Sequence, residues 1–185
     1  MVDLVRTHPL DGRRVANTAV TLTPAAPAAR VSLRAADDAI AALSKALGVK
    51  LPTAPKTSAS DKAGGRAALW LGPDEWLVID TAGGDPLADC AKAKPLHSAV
   101  DISHRNTAII VEGIGAEATL AAGCPQDLSV AAFPVGACTR TVLGKIEVAI
   151  WRMAQSTFRV ECWRSFSTYA FDFLEEAAAD AALLP

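Results

Sequence analysis

Apolar positions along the 185-residue chain recur at two periods, and the switches between those periods divide it into elements. Val31-Ser32-Leu33-Arg34 alternates and predicts a strand. Ile40, Leu43 and Leu47 then fall at i, i+3 and i+7, a helix with Asp37 as its N-cap and Gly48 placed to stop it. Residues 67–71 and 76–79 read as two strands joined by Gly72-Pro73-Asp74, where Pro73 fixes φ and Asp74 can bond its own backbone. A short helix over 86–93 starts at Pro86, and 98–102 returns as a strand. Residues 29–103 therefore predict strand, helix, strand, strand, helix, strand, the order of a ferredoxin-like β-α-β-β-α-β unit.

The remaining segments extend this pattern. Residues 1–14 show no apolar periodicity and predict an extended N-terminal arm, while 15–23 alternates loosely as one weak strand before Pro24 and Pro27. The Pro-, Ser- and Gly-rich stretch 52–65 predicts a long flexible loop. Residues 107–111 form a strand, and 115–122 a helix that Gly123 ends and Pro125 cannot continue. Strands over 139–143 and 146–152 flank Gly144-Lys145, a loop with glycine first as type II′ turns prefer, and 157–163 pairs on. A helix from 165 to about 183 carries an apolar stripe of Phe166, Tyr169, Ala170, Phe173 and Ala177. The expected architecture is α+β: a subdomain over 15–103 and a second over 104–185, an antiparallel sheet with a C-terminal helix, packed as one compact domain. No internal repeat is visible in the sequence.

Composition narrows the partners. The chain is 51% hydrophobic and 21% charged with net charge −2, which argues against nucleic acid or an anionic membrane surface. Met1-Val2-Asp3-Leu4-Val5-Arg6 lacks the apolar core of a secretory signal and no stretch approaches 18 uncharged apolar residues, so a cytoplasmic location is expected. Cys90, Cys124, Cys138 and Cys162 are widely and irregularly spaced, as buried reduced thiols are.

Candidate chemistry is sparse. Asp101, Ser103 and His104 contain the residue types of a triad, but successive strand residues alternate faces and would point Ser103 and His104 apart. Gly113-Ile114-Gly115 follows a strand and opens a helix, yet Ala118 stands where a dinucleotide site has its third glycine; a tight turn accounts for these glycines. Acids, histidines and cysteines do not cluster as metal ligands do. The tryptophans are more informative, because Trp is enriched at interface cores. Strand parity places Trp151 with Glu147 and Ala149, and Trp163 with Arg159 and Glu161, each on a nominally wet face that the C-terminal helix or another subunit must cover. Trp76, His104, Arg105, Trp151, Trp163 and Arg164 are accordingly the candidate interface residues; no catalytic, cofactor-binding or metal residue is assigned.

A resemblance connects these pieces. Val100-Asp101-Ile102-Ser103-His104-Arg105, then Gly123-Cys124-Pro125-Gln126-Asp127-Leu128, Phe133-Pro134-Val135-Gly136 and Arg140-Thr141 resemble the gamma subunits of heterotetrameric sarcosine oxidases. Leu71-Gly72-Pro73-Asp74-Glu75-Trp76 upstream and Phe158-Arg159-Val160 through Cys162-Trp163-Arg164-Ser165-Phe166 downstream agree with it. The resemblance implies a fold related to the folate-binding domain of aminomethyltransferases and an accessory role beside alpha, beta and delta subunits. In that family FAD, FMN, NAD, tetrahydrofolate and zinc sit on the other subunits. It also implies the complex's reaction, oxidative demethylation of sarcosine to glycine with tetrahydrofolate as one-carbon acceptor and hydrogen peroxide as product. The alternative is a free-standing folate-binding one-carbon transferase, which would need a buried carboxylate to grip a pterin ring; no acid stands at a strand end inside an apolar pocket.

Overall fold

The computed structural model describes residues 8–183. Its elements in chain order are β1 (Val15–Ala16), β2 (Thr21–Pro24), β3 (Ala29–Ala35), α1 (Asp37–Leu47), β4 (Ser58–Ser60), β5 (Arg66–Gly72), β6 (Glu75–Asp80) and α2 (Pro86–Cys90). They continue as β7 (His97–Asp101), β8 (Asn106–Glu112), α3 (Ala116–Ala121), β9 (Cys138–Leu143), β10 (Ile146–Ala154), β11 (Thr157–Trp163) and, after a 3-10 turn, α4 (Ser167–Ala181).

Two antiparallel sheets result, ordered β4-β5-β6-β3-β7 and β9-β10-β11-β8-β2-β1. The first is the expected ferredoxin-like unit with β4 added beyond β5. The second has the same order: β8, α3, β10, β11 and α4 follow the same path, and β9 occupies the position of β4. Its last strand, however, is β2, supplied from the N-terminal end of the chain and paired to β8 through Leu22 and Val111. The molecule is thus a structural duplication, and the expected boundary at residue 15 is corrected, because 15–24 belongs to the second sheet. Side-chain pairing across space sets that membership, and local periodicity carries no record of it.

Each sheet buries one face under helices. Val31, Leu33, Ala68, Trp76 and Val78 pack with Ala39, Leu43 and Leu47 of α1. Ile109, Val148, Ile150, Phe158 and Val160 pack with Leu120 of α3 and Phe171 and Leu174 of α4. The opposite faces meet in a third cluster, Leu69, Leu77, Ile79, Ile102 and Cys138, so the layers run helix, sheet, sheet, helix.

Local chemistry explains most termini. Gly48 ends α1 at φ 68, while Asp37 lies inside its first turn and Ala36 is the N-cap. Asp85 caps α2 by accepting from the Ala88 amide. Gly144 has φ 58 and Lys145 does not have positive φ, which is the II′ pattern across the paired Leu143 and Ile146.

Four expectations need correction. The single strand over 15–23 is broken by Asn17, whose side-chain oxygen accepts from the Ala19 and Val20 amides and turns the chain between β1 and β2. The 52–65 stretch is not a free loop: β4 pairs with β5, and Ser58 N–H donates to the Gly136 carbonyl. Of the 1–14 arm, residues 1–7 lie outside the described residues. Leu10 is buried, and Arg13 bonds Asp172 at 2.6 Å and Glu175 at 2.8 Å with its guanidinium over Phe171, so residues 8–14 pack on their own α4. The buried stripe of α4 is Ala170, Phe171, Leu174, Ala177, Ala178 and Ala181, because Tyr169 and Phe173 instead pack on the turns at Gly123 and Gly144.

A β-carbon at Gly144 would meet the Tyr169 hydroxyl at 2.4 Å as well as a strained φ. Gly144→Val is expected to destabilise the chain by about 1–3 kcal/mol, read as a lowered urea midpoint at unchanged slope.

Candidate functional site

The layer between the two sheets holds a cluster of buried ion pairs. Glu161 projects from β11 toward the first sheet, flanked on its cross-strand neighbours by only Ala108 and Ala149. Those small side chains leave room for two guanidinium groups. Arg30 Nε from β3 donates to Glu161 Oε2 at 2.7 Å, and Arg159 Nε to Oε1 at 2.7 Å, with all three side chains at most 5% exposed. The face carrying Arg159 and Glu161 is therefore dry, and it is covered by this chain's own other sheet, an outcome that strand parity alone did not distinguish.

Asp80, at the end of β6, is closed in the same manner. One oxygen accepts Arg66 Nε at 2.7 Å, and the other accepts the Ala82 and Gly84 amides at 3.0 and 2.9 Å. Arg66 also reaches Asp89 and the Leu47 carbonyl, both at 2.7 Å. Asp80 and Glu161 are the buried carboxylates among the described residues, and every oxygen of both accepts at least one hydrogen bond.

The motif candidates resolve into architecture. Ser103 N–H and hydroxyl both donate to Asp101 Oδ1, and the Ser103 oxygen accepts the Arg30 amide at 2.8 Å, which fastens the turn after β7 to β3. Gly113 has φ 129, and a β-carbon there would lie 2.2 Å from the Ala19 carbonyl oxygen; the glycine lets 113–115 pass against the β1–β2 turn. The thiols are buried. Burial pushes Cys90 up to about 11 and Cys138 and Cys162 up to about 12, far from a reactive thiolate. Cys138 Sγ donates to the Thr57 carbonyl at 3.1 Å and to the Trp70 carbonyl at 3.4 Å, a tie between the sheets.

Of the six candidate interface residues, four come together and two do not. Trp76 is fully buried under α1 with its Nε1 donating to the Pro52 carbonyl at 2.7 Å, a core residue that anchors the start of the 52–65 stretch. Trp151 packs in the inter-sheet cluster. Trp76 is thereby enclosed in this chain's own core, whereas Trp151 is only half-buried. His104, Arg105, Trp163 and Arg164 gather where β7 passes into β8 and β11 passes into α4, with Arg164 N–H donating to the Arg105 carbonyl at 2.7 Å. Trp163 stacks on Phe166 with centroids 5.9 Å apart, and Arg105 lies 5.2 Å from the Trp163 ring. Trp163 and Phe166 remain 41% exposed. A cleft of about 680 Å³ opens on one side of this corner beside His104 and Arg164, and a crevice of about 60 Å³ on the other beside Arg105 and Trp163.

A duplicated ferredoxin-like stack, two antiparallel sheets face to face with helices outside, defines an α+β protein of the aminomethyltransferase fold. The glycine cleavage system aminomethyltransferase T from Bartonella henselae shares that fold, with a TM-score of 0.61 at 12% identity over 85% of this chain and 45% of that one. The chain belongs to the sarcosine oxidase gamma subunit family, whose sequence profile matches residues 33–180. It is 34% identical over 167 residues to sarcosine oxidase subunit gamma of Corynebacterium sp. strain U-96, covering 88% of this chain and 80% of that one. The corresponding protein of an Arthrobacter species is 32% identical over 169 residues, at 89% and 82% coverage. A chain of the heterotetrameric sarcosine oxidase from Corynebacterium sp. U-96, solved with pyrrole 2-carboxylate, superposes with a TM-score of 0.87 at 30% identity over 97% of this chain and 98% of that one.

Two outcomes follow from the interior ion pairs. Glu161→Gln leaves two buried guanidiniums without a counter-charge and is expected to cost about 3–5 kcal/mol, whereas replacing Arg30, Arg159 and Glu161 together by apolar residues recovers most of that loss in a urea titration. For Asp80, burial on its own would raise the carboxyl, but Arg66 and the Gly84 and Ala82 amides outweigh it and hold the group below its ordinary value. A depressed folded-state value contributes stability that is complete above the unfolded value near about 4 and is lost as pH falls through the lower folded one. Asp80→Asn should flatten that acid limb of the stability curve, measured as urea midpoints from pH 6 downward, and leave the slope at higher pH unchanged.

Proposed function

We propose that the chain acts as a non-catalytic subunit of a heterotetrameric sarcosine oxidase, contributing contact surface to the assembly while the flavin, nicotinamide, folate and zinc chemistry resides on the alpha, beta and delta subunits in the cytoplasm. The complex would oxidise the N-methyl carbon of sarcosine, releasing glycine and hydrogen peroxide and passing the one-carbon unit to tetrahydrofolate. The observation that carries the reading is the match to the gamma subunit family over residues 33–180, together with the superposition on a chain of a heterotetrameric sarcosine oxidase. The contact surface is the corner of His104, Arg105, Trp163 and Arg164, where a stacked Trp–Phe pair lies beside a guanidinium, the residue types that dominate binding energy at subunit contacts.

The isolated chain should neither absorb as a flavoprotein nor consume oxygen with sarcosine, and equilibrium dialysis should show no tetrahydrofolate binding. Stoichiometric folate binding to the isolated chain would instead support the free-standing transferase. Trp163→Ala should leave the thermal midpoint of the isolated chain nearly unchanged, since its ring is 41% exposed. It should weaken incorporation into the heterotetramer by on the order of 2 kcal/mol. A large loss of midpoint with unaltered incorporation of the folded fraction would place Trp163 in this chain's own core.

A further inference from the structure

The duplication allows the two halves of the molecule to be compared edge by edge. On one side, the edge strands β4 and β9 are tied to each other's neighbourhoods: Ser58 N–H donates to the Gly136 carbonyl at 3.0 Å, Cys138 N–H to the Lys56 carbonyl at 3.2 Å, and Thr57 and Ala137 form a bridge. On the other side the equivalent strands are β2 and β7. β2 is covered by β1, through Val15 against Leu22 and Ala16 against Thr21. β7 pairs with β3 on one side and, among the described residues, with no strand on the other.

The register shows which backbone groups this leaves outward. Ile102 N–H donates to the Arg30 carbonyl at 2.9 Å, which makes Arg30 and Ile102 a hydrogen-bonded pair. Antiparallel pairs alternate, so Val100 and Ser98 turn their backbone groups toward β3, and the amide and carbonyl of Ala99, at the centre of the strand, point away from it. Exposed edges in monomers are guarded by lysine, proline, a bulge or extreme shortness. β7 has a single charge, Asp101, at its end and no lysine, proline or bulge: it reads His97-Ser98-Ala99-Val100-Asp101 in unbroken register over five residues. Val100 is 53% exposed on it and Leu96, just before it, is 92% exposed. The strand ends at Asp101 and leads within three residues to His104 and Arg105, so a segment lying along β7 continues onto the aromatic corner.

We infer that β7 is an acceptor edge for an extended segment of a partner subunit with apolar side chains facing Leu96 and Val100, which adds a strand to this sheet in the position that β1 fills in the other half. Main-chain hydrogen bonds to Ala99 supply the affinity, and Val100 with Leu96 supplies an apolar contact for alternate side chains of the incoming segment. The inference rests on the proposed role as a subunit and adds to it the mode of contact.

The test uses the reconstituted heterotetramer and the isolated chain, with residue-resolved amide exchange. In the isolated chain the Ala99 amide exchanges fast while Ser98 and Val100, bonded to β3, are protected; in the heterotetramer Ala99 slows on the order of tenfold or more. Ala99→Pro removes the outward N–H and leaves the ladder to β3 intact, as edge strands tolerate. It should keep the thermal midpoint of the isolated chain and reduce incorporation on the order of tenfold. If that variant does not fold, the exchange measurement decides alone. Fast exchange at Ala99 within a normally formed heterotetramer that Trp163→Ala still weakens overturns the acceptor edge and leaves the subunit role standing. A chain that enters no heterotetramer overturns both. Protection of Ala99 in the isolated chain that appears only as it dimerises with concentration assigns the edge to a second copy and overturns the partner segment.

Discussion

One carboxylate held between two guanidiniums sets the terms for the rest of this molecule. Glu161 rises from the centre of the second sheet and meets Arg30 from the first, with Arg159 beside it. A charge removed from water is tolerated only with its partners present, so the three residues fix the distance and lateral position of one sheet against the other. The alanines on either side of Glu161 belong to the same arrangement, since larger residues at 108 and 149 would fill the volume that the guanidiniums occupy. The interior still holds donors without a partner among the described residues: Trp70 Nε1, Trp151 Nε1, Arg152 Nε and Arg159 Nη2. Two guanidiniums share one carboxylate, so the cluster keeps a net positive charge inside the sandwich.

The surface is unevenly defended. The side where β4 and β9 meet is laced by backbone hydrogen bonds and by the Cys138 thiol, and Arg140 reaches across it to Glu75. The 124–137 segment is held from within by Arg152, which bonds Glu117 and the Leu128 carbonyl and lies 4.3 Å over the Phe158 ring. The opposite side has the open cleft, the stacked aromatics and an edge of β7 that no strand among the described residues covers. Rigidity and exposure are thus segregated to opposite sides of one small sandwich.

Much of this was legible in the sequence wherever the determinant is local. Gly48 and Gly144 mark a helix end and a turn through the left-handed conformation each adopts, and the β-α-β-β-α-β order follows from periodicity alone. Family resemblance carried the fold of the second half. What periodicity could not supply was which face of a strand meets water. Alternation grouped Trp163 with Arg159 and Glu161 correctly, but charge on that face suggested solvent, whereas a second sheet stacks over all but its rim. Trp76 was read as an interface residue because tryptophan favours interfaces, and only the packing of α1 shows it enclosed. The α4 stripe was assigned to the aromatics, and it shifted because the glycine turns at 123 and 144 offered Tyr169 and Phe173 a separate seat. Membership of β2 in the second sheet depends on a contact between distant segments, for which the sequence has no period at all.

The displaced strand β2 bears on how the chain is made. During translation the β1–β2 hairpin emerges before anything it can pair with, and the whole first sheet with α1 and α2 can assemble while that hairpin waits. Only when β8 leaves the ribosome does β2 find its neighbour, and only after β11 is the second sheet continuous. Closure of the second half is therefore a late, long-range event with a high contact order, and it sets the pace of folding. Until then the nascent chain carries a hairpin whose β2 edge has no strand to pair with, an exposure that ends only with the second half of the fold.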